Sequence, residues 1–236
     1  MIKTENITKK FGKLTAVDEV NLTINDNECF ALLGLNGAGK TTLINILSTQ
    51  ASPTSGNAKI NDFDLISEKD KVRKIVNISP QESAVAKNLT VKENLDLIAT
   101  LYDVENKDDK IKNIIVEFGL KEKEKVLCKK LSGGQLRRLS IALAIITNPK
   151  ILFLDEPTLG LDVKARKLLW EIVEKLKSKM TIVLTTHYLE EVELLADRIA
   201  IISRGKIKAV GTADEIKEQT NSSSLEQAFI SLSEEE

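Results

Sequence analysis

Apolar and polar residues alternate over 2–8 and 14–24, as at Val20, Leu22 and Ile24, which predicts antiparallel strands with one wet face. Asn25-Asp26-Asn27-Glu28 reads as a tight turn, with asparagine tolerating left-handed geometry. Glu28–Leu33 then reads as a strand, and residues 40–48 as a helix. A turn at Pro53-Thr54-Ser55-Gly56 precedes a short strand at 57–60, a helix at 67–74 and a strand at 74–79 that Pro80-Gln81 ends. From there the period changes to helical. Thr90-Val91-Lys92-Glu93 has the form of a capping box, with Leu95, Leu97, Ile98 and Leu101 as the apolar positions behind it. Residues 107–118 carry Ile111, Ile114, Ile115 and Phe118 on one face, and a charged loop covers 119–130.

Strand–helix alternation returns after residue 147. Ile151–Leu154 is a short apolar run, 162–178 an amphipathic helix with Leu168, Leu169, Ile172, Val173 and Leu176 inward, and Met180–Thr185 a strand. A helix at 188–197 and a hairpin at 198–203 and 206–210 follow. Thr212–Glu215 and Ser223–Glu226 have the form of further capping boxes, and the chain ends in a polar Glu tail. The expected fold is α/β: a mixed sheet flanked by helices, an antiparallel β subdomain, and a helical insertion. We read residues 1–236 as a single domain, with helical insertion about 82–147 and a helical tail about 212–236.

Composition narrows this little. The 236 residues, 42% hydrophobic, can bury a sizeable core. A net charge of −1 argues against a dedicated nucleic-acid binder. Cys29 and Cys128 form no disulfide or zinc pattern. The N-terminus is no signal peptide, and uncharged apolar runs such as Ile141–Ile146 and Ile151–Leu154 fall far short of the ~20 residues a membrane span needs. A protein that is soluble by itself is expected.

Three motifs carry chemistry. Gly34-Leu35-Asn36-Gly37-Ala38-Gly39-Lys40-Thr41-Thr42 fits the phosphate-loop pattern, with an apolar strand before it and a helix after it. Its glycines let successive N–H groups face a polyphosphate, and the helix N-terminus adds unsatisfied donors. Lys40 supplies a point charge for the β- and γ-phosphates, and the Thr41 hydroxyl suits Mg²⁺. In the second motif, Ile151–Leu154 leads directly into Asp155 and Glu156. Ligands of open α/β sheets bind at such strand ends, so Asp155 could reach Mg²⁺ and Glu156 could accept a proton from water. The third, Leu131-Ser132-Gly133-Gly134-Gln135, opens a helix that Asn148-Pro149 stops. It is a second anion cradle where one nucleotide needs only one, and on physics alone it is an ordinary glycine-containing N-cap.

Taken in order, these motifs resemble the ATP-binding subunits of ABC transporters over nearly the full chain. Leu131–Gln135 is similar to that family's LSGGQ signature. The resemblance implies that Phe11 stacks on adenine with Val17 beside it, that Gln81 is the Q-loop glutamine on Mg²⁺ and water, that Leu159-Gly160-Leu161-Asp162 is the D-loop, and that His187 is the switch histidine at the γ-phosphate. It further implies a head-to-tail dimer, expected to be a homodimer, in which Ser132, Gly133, Gly134 and Gln135 close the partner's nucleotide site. ATP and Mg²⁺ are the implied cofactors, with Glu156, His187, Lys40 and Gln81 catalytic and Thr41, Gln81 and Asp155 at the metal. Details such as Pro157–Val163 and Leu225–Phe229 resemble the export-type, ABC-2-like branch. That implies a cytoplasmic subunit bound through a separate membrane permease. The alternative is a non-transport ABC ATPase of the iron–sulfur assembly or DNA-maintenance type. Asn27 stands where the family usually has glycine, and Leu35 where proline or serine is common.

Overall fold

The computed structural model describes residues 1–234; Glu235 and Glu236, the end of the polar tail, lie outside the described residues. The chain opens with β1 (Ile2–Phe11), β2 (Leu14–Val20) and the short β3 (Thr23–Ile24), then β4 (Cys29–Leu33) and α1 (Lys40–Leu47). β5 (Ser55–Ile60) and β6 (Phe63–Asp64) precede α2 (Lys69–Arg73) and β7 (Val76–Ser79). Helices α3 (Val91–Leu101), α4 (Lys107–Glu117) and α5 (Gly133–Ile145) follow in succession. Alternation then resumes with β8 (Ile151–Asp155), α6 (Val163–Lys177), β9 (Thr181–Thr186), α7 (Leu189–Leu195) and β10 (Arg198–Ser203). β11 (Lys206–Gly211), α8 (Ala213–Gln219) and α9 (Leu225–Glu234) come last.

Two sheets result. The larger has the order β11-β10-β4-β9-β8-β7, parallel throughout except for the β10–β11 hairpin. The smaller is antiparallel, β2-β1-β5-β6 with β3 paired to β1. Strand alternation divides the core between the faces of the large sheet. Cys29, Ala31 and Leu33 of β4 face a cluster built with α3–α7, whereas Phe30 and Leu32 face α1 and the antiparallel sheet. Leu152 and Leu154 against Ile151 and Phe153 repeat the pattern in β8. Each fully buried Leu, Ile or Phe among these contributes roughly 1.5–3 kcal/mol. Register sets the site: Leu33 pairs with Thr186 and Asp155 with Thr185, so β4, β8 and β9 end level with one another.

Local signals held in most places and slipped in a few. The capping boxes Thr90–Glu93 and Thr212–Glu215 form. The box expected at Ser223–Glu226 is displaced by one residue: the Ser224 hydroxyl accepts from the Gln227 N–H, and the Gln227 side chain accepts from Ser223. On α3 the buried face is Val91, Asn94, Leu95 and Ala99, with Leu97 and Leu101 outward. Asn94 can be buried because its amide bonds Ala86 O, Thr90 O and the Ala86 N–H. On α6 Trp170 takes the inward place expected for Leu168, which is exposed.

Asn27 occupies the left-handed region at φ 56°, and its N–H donates to Thr181 Oγ1 at 2.8 Å. Asn27→Ala should therefore lower stability by about 1 kcal/mol, while Asn27→Gly is near neutral. Urea unfolding midpoints of the two variants check this.

Candidate active site

The loop after β4 is shaped by close backbone approaches. Gly39 has φ 105°, and a Cβ there would lie 2.3 Å from Ala16 O; one on Gly34 would lie 2.5 Å from Ile202 O. Only glycine lets the loop sit between β2 and β10 while turning its N–H groups outward. Lys40 folds back over it. Its Nζ donates to Gly34 O at 2.7 Å and Leu35 O at 3.2 Å, and pairs with Glu156 Oε1 at 3.1 Å. Lys40 and Glu156 are both buried.

Asp155 and Glu156 follow β8. Asp155 Oδ1 accepts from Thr41 Oγ1 at 3.1 Å and Thr185 Oγ1 at 2.6 Å. The same Thr185 hydroxyl accepts the Glu156 N–H at 2.9 Å. Glu156 itself has φ 46°, a conformation costing about 1–3 kcal/mol for a residue with a Cβ. Its Oε2 lies 2.9 Å from His187 Nδ1, which carries the proton if the carboxylate accepts. Glu156 thus bridges Lys40 and His187, one oxygen to each.

The signature stretch is built differently. Ser132 caps α5: its hydroxyl accepts from Gln135 N, and Gln135 Oε1 accepts from Ser132 N, a reciprocal box that fixes the turn. Ser132 and Gly133 face solvent. One turn further on, Arg137 is buried. Its guanidinium donates to the carbonyls of Asp155 at 2.6 Å, Pro157 at 2.9 Å and Gln81 at 3.4 Å, and also to Pro80 O. Burial pushes its pKa down to about 10, so it stays charged near neutrality. One side chain thereby fastens the signature helix to the ends of β7 and β8. Asn77 Nδ2 to Ala144 O, 2.9 Å, and the Ser79–Ser140 hydroxyl pair, 3.0 Å, add to this fastening.

Glu191 of α7 is fully buried. It accepts from Thr158 Oγ1 at 3.1 Å, from Trp170 Nε1 at 3.4 Å and from the Thr186 hydroxyl. Burial raises its pKa against these donors. It ties the segment after Glu156 to the strand that ends at His187. Sequence reasoning passed over Arg137, Thr185 and Glu191. The available signal was a charged residue on an otherwise inward face: Arg137 shares its face with Ser140 and Ala144, and Glu191 with Leu195.

A cleft of about 480 Å³ runs along the loop, lined by Phe11, Leu14, Ala16, Asn36–Thr42, Gln81, Glu156 and Leu159. Phe11 is 55% exposed at its edge, with Lys9 Nζ 5.2 Å from the ring centroid. Val17, expected beside Phe11, is instead fully buried in the core. The alternation of β2 turns Leu14 and Ala16 toward the cleft and Val17 away from it. Gly34 lies beneath the cleft, packed on Ile202, and Leu35 is exposed. Ser132, Gly133, Gly134, Gln135 and Asp162 do not line it. Asp162 caps α6 through the Ala165 N–H at 2.8 Å. The structure therefore brings the phosphate loop, Gln81, Asp155, Glu156 and His187 together and leaves the signature outside.

The ABC transporter family model matches residues 17–159. The chain belongs to the ABC transporter ATPase family. It is 39% identical to the daunorubicin/doxorubicin resistance ATP-binding protein DrrA of Streptomyces peucetius, over 95% of this chain and 69% of that one. It is 37% identical to the phospholipid-transporting ATPase ABCA3 of Homo sapiens over 92% of its own length, but spans only 13% of that protein. It superposes with a TM-score of 0.81 and 27% identity on the dimeric post-hydrolysis state of the ATP-binding cassette MJ0796 bound to ADP and Pi, covering 90% of this chain and 98% of that one. The chain is thus an ATP-binding ABC ATPase domain with the P-loop fold.

Arg137→Met removes the guanidinium and strands four carbonyl acceptors. It should cost about 3 kcal/mol or more, with Arg137→Lys intermediate, as read from chemical denaturation.

Proposed function

We propose that this chain is the ATP-hydrolysing motor of an export-type ABC transporter, working as a head-to-tail homodimer on a separate membrane permease. On this reading residues 1–236 form one ABC ATPase domain, with its helical part about 82–147 and its tail about 212–236. The observation that carries the reading is Glu156 held between Lys40 and His187 in a cleft that the signature does not reach. Such a cleft is half of a site. Its complement, Ser132–Gln135 on a solvent-facing capped turn, is free to close the equivalent cleft of a second copy. The dimeric state of the MJ0796 cassette supports that arrangement.

Lys40 is the residue that must move. A polyphosphate in the loop draws Nζ away from Glu156 Oε1, since phosphate oxygens carry more charge than one carboxylate and bring loop N–H donors with them. Glu156 is then free to accept a proton from an attacking water, while His187 keeps its other oxygen oriented. Gln81 at the cleft mouth positions that water, and Phe11 offers a face to adenine. The donor set also fits Mg²⁺: Thr41 Oγ1 and Asp155 Oδ1 are hard oxygens 3.1 Å apart, with Gln81 on the same cleft. Among the described residues no cluster of three or more His, Cys, Asp or Glu could hold a metal alone, so phosphate oxygens and water would complete the shell. Bound there, Mg²⁺ would neutralise charge on the β- and γ-phosphates.

Transport needs a membrane partner, because among the described residues no helix is long and apolar enough to cross a membrane. Exposed Leu97, Leu101 and Tyr102 on α3 and its C-cap support docking of permease helices on that face. Tyr102 also borders a groove of about 360 Å³ with Ser48–Gln50, Arg73 and Val76–Ile78. The domain would then sit on the cytoplasmic side of the membrane. The resistance role in the name of DrrA supports export as the direction.

Glu156→Gln should reduce ATP turnover by about 100-fold or more and trap an ATP-bound dimer, measured by phosphate release and by light scattering. Turnover at the parental rate would remove Glu156 from the general-base role. Phe11→Ala should raise the ATP concentration for half-maximal rate by about tenfold and leave the maximal rate within about twofold. An unchanged requirement would make Phe11 a bystander at the cleft edge.

A further inference from the structure

A second and larger hollow, about 740 Å³, lies between α6 and α7, away from the nucleotide cleft. Its α6 wall is Lys167, Trp170, Glu171 and Glu174, spaced i, i+3, i+4 and i+7, so one stripe of the helix faces the groove for two turns, roughly 10 Å. Its α7 wall is Glu190, Glu193, Leu194 and Leu195. The floor is apolar: Trp170 and Leu195 lie at the bottom, and Leu194 is 55% exposed above them. The rim is acidic, with four carboxylates against the single ammonium of Lys167. Glu174 pairs with Lys177 at 3.2 Å and Glu190 with Arg166 at 3.8 Å, both cations half-buried, while Glu171 and Glu193 have no ion-pair partner among the described residues. None of these groove residues lines the nucleotide cleft.

The geometry points to a docking groove for a basic amphipathic helix of a partner protein, with leucine-like side chains on Trp170 and Leu194 and lysines or arginines against Glu171, Glu174, Glu190 and Glu193. Charge complementarity selects this occupant, because an acidic or neutral segment would leave Glu171 and Glu193 with no counter-charge lining the groove beyond Lys167. Two turns of helix match the length of the stripe. The groove is also wired to the ATPase machinery. Trp170 Nε1 donates to buried Glu191, whose other oxygen accepts from Thr158 beside Glu156. Arg166 lies over both Trp170 and Tyr188, the neighbour of His187, at 5.9 and 5.8 Å. Occupancy of the groove therefore bears on the segments that carry Glu156 and His187, and the partner modulates turnover.

Trp170 is the chain's one tryptophan, so its emission reports on the groove alone. The probe is a labelled two- to three-turn amphipathic peptide of leucine and lysine, compared with its leucine–glutamate counterpart. The expected result is saturable anisotropy with the basic peptide, a concurrent change in Trp170 emission, and a change in steady-state ATP turnover. Affinity should fall about tenfold in the double variant Glu171→Lys/Glu193→Lys and hold in a control reversal at exposed Glu122. Absent binding, equal binding of the acidic peptide, silence of Trp170, or affinity that survives the double reversal would each overturn the groove assignment. Binding with turnover unchanged would overturn the modulation. Self-association of the peptide-free chain that the double reversal abolishes would seat a second copy in the groove and overturn the partner assignment.

Discussion

The buried pair of Lys40 and Glu156 is the contact around which the molecule is arranged. Neither charge could be held at that depth alone, and neither is. Lys40 also bonds two loop carbonyls, and Glu156 also meets His187. The pair can form because β4, β8 and β9 stop at the same level, which the register Leu33–Thr186 and Asp155–Thr185 enforces. The apolar clusters on both faces of the sheet maintain that register, since a slip of one residue would send every core side chain to the opposite face, into a cluster shaped for other residues. In the mechanism we propose, this structural contact is also a resting state, which a better anion at the loop would break.

Around it the fold sets two further couplings. Arg137 ties the segments just after β7 and the end of β8 to the signature helix through four backbone carbonyls. Glu191 does the same between Thr158 and the end of β9. Neither acts as a simple ion pair. Each is a buried ionisable group satisfied by neutral donors or acceptors on separate segments, an arrangement that resists any one segment moving alone.

Much of this was legible in the chain. The phosphate loop, the two carboxylates after a strand, the signature turn and the lone histidine lie in short stretches where residue type and context agree. Alternation located most strands, and the capping boxes located the starts of α3 and α8. What was missed is non-local. Val17 looked like a cleft residue until the facing of β2 was known. Leu97 and Leu101 of α3 are at helical spacing yet face out, because bonded Asn94 and small Ala99 fill the buried stripe. Arg137 finds its partners 18–57 residues away, and Glu191 reaches Trp170 and Thr158 at 21 and 33 residues, in segments that only the finished sheet brings together.

On the proposed function, one chain supplies half of each ATP site. Mixing two differently disabled copies tests it most directly: Lys40→Ala, which spoils the phosphate loop, and Ser132→Arg, which spoils the signature. In a mixed dimer one site carries both lesions and the other carries neither. ATP turnover, nearly absent in each variant alone, should reappear when the two are combined. Activity in the Ser132→Arg chain by itself, or a mixture as inactive as its components, would contradict it.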